Sequence, residues 1–235
     1  MEYKTDALVL RAVDYGENDK MVTLFTADRG KISAGMKGVR RAGARLRFAA
    51  QPFCFAEYVF AEKAGRYTVT GASLHDGFYA LTQDIAAYYA AATVLEVCDG
   101  LLYEGMESGG LLIAAVSALG RLAEGAGAPA LVNFLCEALK IAGYPVQAQA
   151  HCPVCGRALS GRLSFQFASG SFTCPECAEG APASESTYRT LRAAERGEPL
   201  PEGDGAKRAL RLLKAHYFHH TEGELASLTE YLGLL

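Results

Sequence analysis

The sequence predicts an α+β fold, in which a small antiparallel β domain precedes an α-helical domain carrying an inserted four-cysteine metal module. Three observations predict it. Five β-rich segments follow one another up to about residue 77 with no room for crossover helices. Helical periodicity takes over after Gly77. Two Cys-x-x-Cys pairs then stand 18 residues apart. With 235 residues, half of them apolar and 21% charged, the chain has the composition of one or two globular domains plus a small module.

The strands are expected at Thr5–Ala12, Lys20–Thr26, Gly30–Val39, Pro52–Phe60 and Tyr67–Leu74. Turn signals separate them at Tyr15-Gly16-Glu17-Asn18-Asp19, Asp28-Arg29-Gly30 and Ala64-Gly65-Arg66. Such a series fits a small barrel or a sandwich, with the five-stranded Greek-key oligonucleotide-binding barrel among the candidates. Helices follow at Leu81–Tyr103, with Asp84 favouring its N-terminus, and at Leu111–Glu124. A third opens at Pro129 and is closed by Gly143 and Pro145. Its Leu131, Phe134, Leu135, Ala138, Leu139 and Ala142 form one apolar face. After a cysteine-bearing insert at about 151–180, helix resumes at Ser184–Arg196, capped by Ser184 or Ser186. A last long helix runs from Ala206 to His220, and Glu224–Tyr231 adds a short one. The longest uncharged runs, Ile85–Leu95 and Gly109–Gly120, the second closed by Glu107 and Arg121, fall short of the roughly 18 residues of a membrane span. The Met-Glu-Tyr-Lys-Thr-Asp start lacks a basic region followed by an apolar core, so a soluble intracellular chain is expected.

Seven cysteines cannot all pair within one chain. Cys54, Cys98 and Cys136 sit singly in apolar surroundings and read as buried small hydrophobes in a reducing compartment. Cys152-Pro-Val-Cys155 and Cys174-Pro-Glu-Cys177 instead have the spacing of a four-thiolate zinc site, each pair forming a knuckle and the hairpin between them closing the tetrahedron. Four thiolates leave no position for an activated water, so the zinc is expected to be structural. A redox dithiol would need only one pair. A nucleobase-deaminase site would need His-x-Glu upstream of Pro-Cys-x-x-Cys, whereas His220-Thr-Glu222 lies downstream. His216, His219 and His220 are a weaker metal candidate.

The formal net charge is −3, which excludes a protein that coats nucleic acid with its whole surface. Yet Arg29, Lys31, Lys37, Arg40, Arg41, Arg45 and Arg47 occupy 19 positions without an acidic residue among them. Two glycines and small residues between the charges suit a mobile loop that grips phosphates. Phe48, Phe53, Phe55, Tyr58 and Phe60 lie nearby, but strand alternation assigns most of them to the core instead of to base stacking. Lys207, Arg208, Arg211 and Lys214 read as the wet face of an amphipathic helix. There is no G-x-x-x-x-G-K-[ST] loop, no G-x-S-x-G elbow and no H-E-x-x-H pair, so a catalytic role is not expected.

The order of these pieces resembles the RecO family of bacterial recombination mediators over nearly the whole chain. The residues that carry the likeness are Ala7-Leu-Val-Leu10, Tyr15-Gly-Glu-Asn-Asp19, Leu24-Phe-Thr26 and Gly30-Lys-Ile-Ser33. Lys37-Gly-Val-Arg-Arg41, Arg45-Leu-Arg47, Gln51-Pro-Phe53 and Gly143-Tyr144 continue it, followed by the two cysteine pairs. The resemblance implies a five-stranded oligonucleotide-binding (OB-fold) barrel over 1–79 and a helical domain over 80–235 with a zinc-binding insert. It implies a cytoplasmic, nucleoid-associated protein that binds single- and double-stranded DNA and anneals complementary strands. With RecR, such a protein helps load RecA onto strands coated by single-strand-binding protein. Lys31, Lys37, Arg40, Arg41, Arg45 and Arg47 match the family's DNA-contacting region. The family often ends in a basic tail, whereas no Lys or Arg follows Lys214 here, so no contact is carried over to that segment. A zinc-ribbon adaptor that binds only protein, and a metal-dependent enzyme, are the alternatives.

Overall fold

The computed structural model describes residues 2–103 and 108–235; Met1 and 104–107, Glu107 among them, lie outside the described residues. The chain forms two compact units, Met1–Glu124 and Gly125–Leu235.

In the first unit, strands β1 (Glu2–Tyr15), β2 (Asp19–Thr26), β3 (Gly30–Met36), β4 (Phe55–Lys63) and β5 (Arg66–Asp76) close a barrel in the order β1-β2-β3-β5-β4. Neighbours run antiparallel except β3 and β5, whose parallel pairing joins Ala34 to Tyr67 and Gly35 to Thr68. This is the five-stranded Greek-key order of an oligonucleotide-binding barrel. Alternation dictates which residues meet inside. Ile32, Ala34 and Met36 of β3 and Ala56, Tyr58 and Phe60 of β4 point inward with Ala7, Val9, Val22, Leu24 and Val69. The expected strand Pro52–Phe60 starts only at Phe55, because Phe53 takes a left-handed φ of 70° and its N–H donates to Val9 O (3.3 Å). Likewise β3 stops at Met36, since Gly38 turns with φ 66°.

Helix α1 (Ile85–Leu101) begins where expected: Asp84 Oδ1 accepts from Ala87 N–H at 2.7 Å. A 3₁₀ turn, Tyr79–Thr82, takes the residues that periodicity assigns to the helix's first turn. Helix α2 (Gly109–Ala123) buries Leu111, Leu112, Ala115, Leu119 and Leu122.

The second unit opens with α3 (Gly127–Ile141), two residues ahead of Pro129, which sits within the first turn where its missing N–H is harmless. The apolar face read from the sequence is buried at Leu131, Phe134, Leu135, Ala138 and Leu139. Helices α4 (Glu185–Glu195) and α5 (Gly205–Thr221) pack with it, and α6 (Ala226–Leu234) follows. Ser184 caps α4, its Oγ accepting from Thr187 N–H at 3.2 Å. Between α3 and α4 lies a three-stranded sheet in the order β7-β6-β8, made of β6 (Leu163–Gln166), β7 (Ser171–Thr173) and β8 (Ala181–Ala183). The β6–β7 hairpin matches the sequence; β8 was too short and too polar at its flanks to announce itself. Gly170 in that hairpin has φ +65°, and a Cβ there would stand 2.1 Å from Pro145 O. Only glycine lets the hairpin meet the segment after α3, where Gln147 N–H donates to Gly170 O at 2.7 Å.

Candidate nucleic-acid interface and metal centre

The sulfurs of Cys152, Cys155, Cys174 and Cys177 all lie within 4.8 Å of one another. Cys174 Sγ is 3.5 Å from Cys152, 3.4 Å from Cys155 and 3.2 Å from Cys177. Four thiolates around one ion at 2.3 Å would be about 3.8 Å apart, so the cage has metal-binding dimensions. Tight turns build each knuckle: Gly156 N–H donates to Cys152 O (2.9 Å), and Cys177 N–H to Cys174 O (3.0 Å). The Cys152–Arg157 pairing (2.8 Å) closes the first turn, and Gly156 supplies its φ of 73°. Backbone amides aim at the sulfurs. The N–H of Cys174, followed by those of Cys155 and Val154, holds the Cys152 thiol down at about 6, and Arg157 N–H lowers that of Cys155. The neighbouring sulfurs of Cys177 and Cys155 push the Cys174 thiol up. Donated amides and crowded soft sulfurs suit a thiophilic dication, which would offset half the charge of four thiolates. The cluster is able to bind a metal ion.

The basic stretch connects β3 to β4. Its backbone is a run of successive turns, with Arg41 N–H donating to Gly38 O, Ala44 to Arg41, Arg47 to Ala44 and Ala50 to Arg47, at 3.1–3.4 Å. Val39, Ala49 and Ala50 are buried in the barrel core, with Leu46 and Phe48 packed against it. The sequence suggested a mobile loop; the structure shows an ordered strap, because small residues permit tight turns and the apolar ones between the charges anchor them.

The six expected phosphate-binding residues separate into two groups. Lys37, Arg41, Arg45 and Arg47 are exposed and make no ion pair among the described residues. Arg40 pairs with Asp14 (3.1 Å) and donates to Gly16 O (3.1 Å). Lys31, with its side chain only 25% exposed, donates to both Asp99 Oδ1 (2.9 Å) and Asp99 O (2.7 Å) at the end of α1. Arg29 lies over the Tyr3 ring (3.9 Å) and near Glu62 (3.6 Å). A polar cleft of about 410 Å³ brings Arg40 and Arg47 together with Lys20, Asp14 and Gln51.

Two family models match this chain in tandem, Recombination protein O N terminal over residues 1–78 and Recombination protein O C terminal over residues 82–229. The chain belongs to the RecO family. It is 34% identical to DNA repair protein RecO of Myxococcus xanthus over 236 residues, 96% of this chain and 95% of that protein. To the Anaeromyxobacter dehalogenans protein of the same name it is 33% identical over 231 residues, 91% of each. To that of Desulforamulus reducens it is 32% identical over 177 residues, 75% of this chain and 69% of the relative. This is therefore a RecO-type DNA repair and recombination protein, a member of a mediator family.

Other sequence-level candidates in this RecO-family chain find structural roles. Phe53, Tyr58 and Phe60 are buried, and Phe48 and Phe55 are partly so; strand alternation accounts for Tyr58, Phe60 and Phe55, whereas Phe48 and Phe53 lie ahead of the strand. Buried Tyr58 donates its hydroxyl to Ala49 O (2.8 Å), tying down the far end of the basic strap. On α5, Leu210, Leu213 and Tyr217 are buried while Arg208 pairs with Asp204 (2.6 Å) and Lys214 bonds Thr229. The histidines do not converge on a metal: His216 bonds Tyr144 O (3.0 Å), and His220 bonds Phe167 O (2.9 Å) while stacking on Tyr144. Burial pushes the Cys54 and Cys98 thiols up, and that of Cys136 to about 12, which leaves them inert. No helix among the described residues is long and apolar enough to cross a membrane. Sequence reasoning missed Asp14 and Lys20. The signal was available, because a hairpin turning at Tyr15–Asp19 places positions 14 and 20 opposite each other, as their observed pairing shows.

Proposed function

We propose that this RecO-family chain is a non-catalytic mediator that grips the phosphates of single- and double-stranded DNA through the β3–β4 strap of its barrel. By neutralising phosphates it lowers the repulsion between complementary strands and so promotes their annealing. With RecR it helps load RecA onto DNA coated by single-strand-binding protein, in the bacterial cytoplasm at the nucleoid. In this division of labour 1–79 holds DNA and 80–235 carries partner surfaces. Zinc in the insert at about 151–180, held by Cys152, Cys155, Cys174 and Cys177, fixes the fold of that module and activates no water.

The observation that carries this reading is that Lys37, Arg41, Arg45 and Arg47 stand exposed on one ordered strap and make no ion pair among the described residues, in a chain of net charge −3. Arginine's planar fork suits phosphate oxygens, and a turn-built backbone limits the entropy lost on binding. Fluorescence anisotropy of labelled single- and double-stranded oligonucleotides at several salt concentrations tests it. The wild type binds both, with affinity falling steeply as salt rises. The K37A/R41A/R45A/R47A variant flattens the duplex log–log salt dependence by up to about 3.6, four phosphates at about 0.9 each. Equal binding by the two proteins, or no salt-dependent binding by either, overturns the reading; the second result is that of a protein-binding adaptor.

A further inference from the structure

The polar cleft beside the strap contains its own anion. Asp14 is the penultimate residue of β1, its side chain 53% exposed, and its two carboxylate oxygens lie 3.1 Å from Arg40 Nη2 and 3.7 Å from Lys20 Nζ. Arg47 and Gln51 complete the lining with Val39 and Ala50. Three cations thus face one carboxylate in a space of about 410 Å³, room enough for a tetrahedral oxyanion. The hairpin that carries Asp14 is also fastened to the strap by bonds that do not involve Asp14. Gly38 N–H donates to Asp19 Oδ1 (2.7 Å), Arg40 N–H to Asn18 O (2.9 Å) and Arg40 Nη1 to Gly16 O (3.1 Å). Those bonds keep Arg40 in place whether or not Asp14 is charged, so the carboxylate is not needed to build the cleft. Its effect is electrostatic: it meets the charges of Lys20 and Arg40.

We propose that this cleft is a phosphodiester subsite of the nucleic-acid surface and that Asp14 is its resident competitor, holding Lys20 and Arg40 until a backbone phosphate displaces it. The inference rests on the proposed DNA-binding reading and adds to it a built-in brake on affinity. With Asp14 charged, the Asp14–Lys20–Arg40 group carries net +1. A phosphate entering the cleft exchanges one ion pair for another and gains little, which favours rapid release over tight retention. Such weak retention suits a protein that must let go of the strands it has brought together.

The test is D14N, isosteric and uncharged, in the same anisotropy titration. A carboxylate about 6 Å from a phosphate in water-like dielectric weakens binding about threefold, so D14N tightens duplex binding by about that factor at low salt. It also steepens the log–log salt dependence by about 0.9, one further neutralised phosphate. The gain disappears in the K20A/R40A background. E17Q removes a charge from the exposed tip of the same hairpin, outside the cleft, and yields a smaller gain. Circular dichroism and melting verify the fold, and D14S repeats the measurement should D14N perturb it. Unchanged affinity in both Asp14 variants overturns the inference. So does an equal gain from E17Q, or a gain that persists without Lys20 and Arg40. If D14N matches wild type while the strap variant loses binding, the DNA-binding reading stands and the competitor falls. If the wild type shows no salt-dependent binding, both fall.

Discussion

Lys31 separates a DNA contact from a structural strut. The sequence groups it with the phosphate-gripping residues, but its ammonium reaches from β3 to Asp99 near the end of α1, bonding one carboxylate oxygen at 2.9 Å and the main-chain carbonyl at 2.7 Å. A half-exposed ion pair contributes up to about 1 kcal/mol. A cation at a helix C-terminus, where carbonyls lack intrahelical donors, adds about 0.3–1 kcal/mol. Lys31→Met keeps the aliphatic stem and removes the charge, so it should destabilise the first unit by about 1–2 kcal/mol. For a unit of this size that is a fall of roughly 3–10 °C in its melting transition. Scanning calorimetry with Lys31→Met, Asp99→Asn and the double variant gives the coupling between the pair. The same Lys31→Met protein should bind DNA within about twofold of wild type, with an unchanged salt slope, whereas Arg45→Ala should flatten the slope by about 0.9. An unaltered melting transition together with a flatter salt slope would refute the strut and return Lys31 to the DNA surface.

Further expected outcomes follow from the same geometry. The purified chain should carry one zinc by elemental analysis, and cobalt substitution should give the absorption of a tetrahedral four-thiolate site; a spectrum with a water or nitrogen ligand would contradict the cage. Cys174→Ser should abolish stoichiometric metal and expose the module to proteolysis. Tyr58→Phe should cost about 1–2 kcal/mol by leaving Ala49 O without its buried donor, measurable by urea unfolding. His216 lies buried with its Nε2–H donating to Tyr144 O and its Nδ1 without a hydrogen-bond partner among the described residues, so burial holds its pKa down at about 4. The folded state then resists a proton that the unfolded chain accepts near 6.5, and stability falls as pH drops from about 6.5 to about 4, by at most about 3 kcal/mol. Acid titration of His216→Leu should lack that component, and an identical pH profile would show that His216 does not supply it.

Much of this molecule is visible in one dimension because its signals are local. Strand alternation assigned Tyr58 and Phe60 to the core, and the same period accounts for Ile32, Ala34 and Met36 inside the barrel. Asp84 and Ser184 marked helix starts, and two knuckles marked a metal cage. Each depends on backbone period, a side chain within three residues of its partner, or fixed spacing, all of which a sequence carries directly. The cluster of positive charge between Arg29 and Arg47 was equally legible, and so was the resemblance in the order of the pieces.

Which of those charges remain available was decided by tertiary structure alone. Nothing in the sequence says which carboxylates Lys31 and Arg40 will meet; Asp99, 68 residues away, and Asp14, across a hairpin, come within 3.1 Å or less of them. The ordering of the strap has the same origin, since Val39 and Ala49 become anchors only when the barrel closes beneath them. Composition and period fix what each segment wants to bury and which charges it must keep wet. Coulomb attraction and packing between segments distant along the chain depend on distances that exist only after folding.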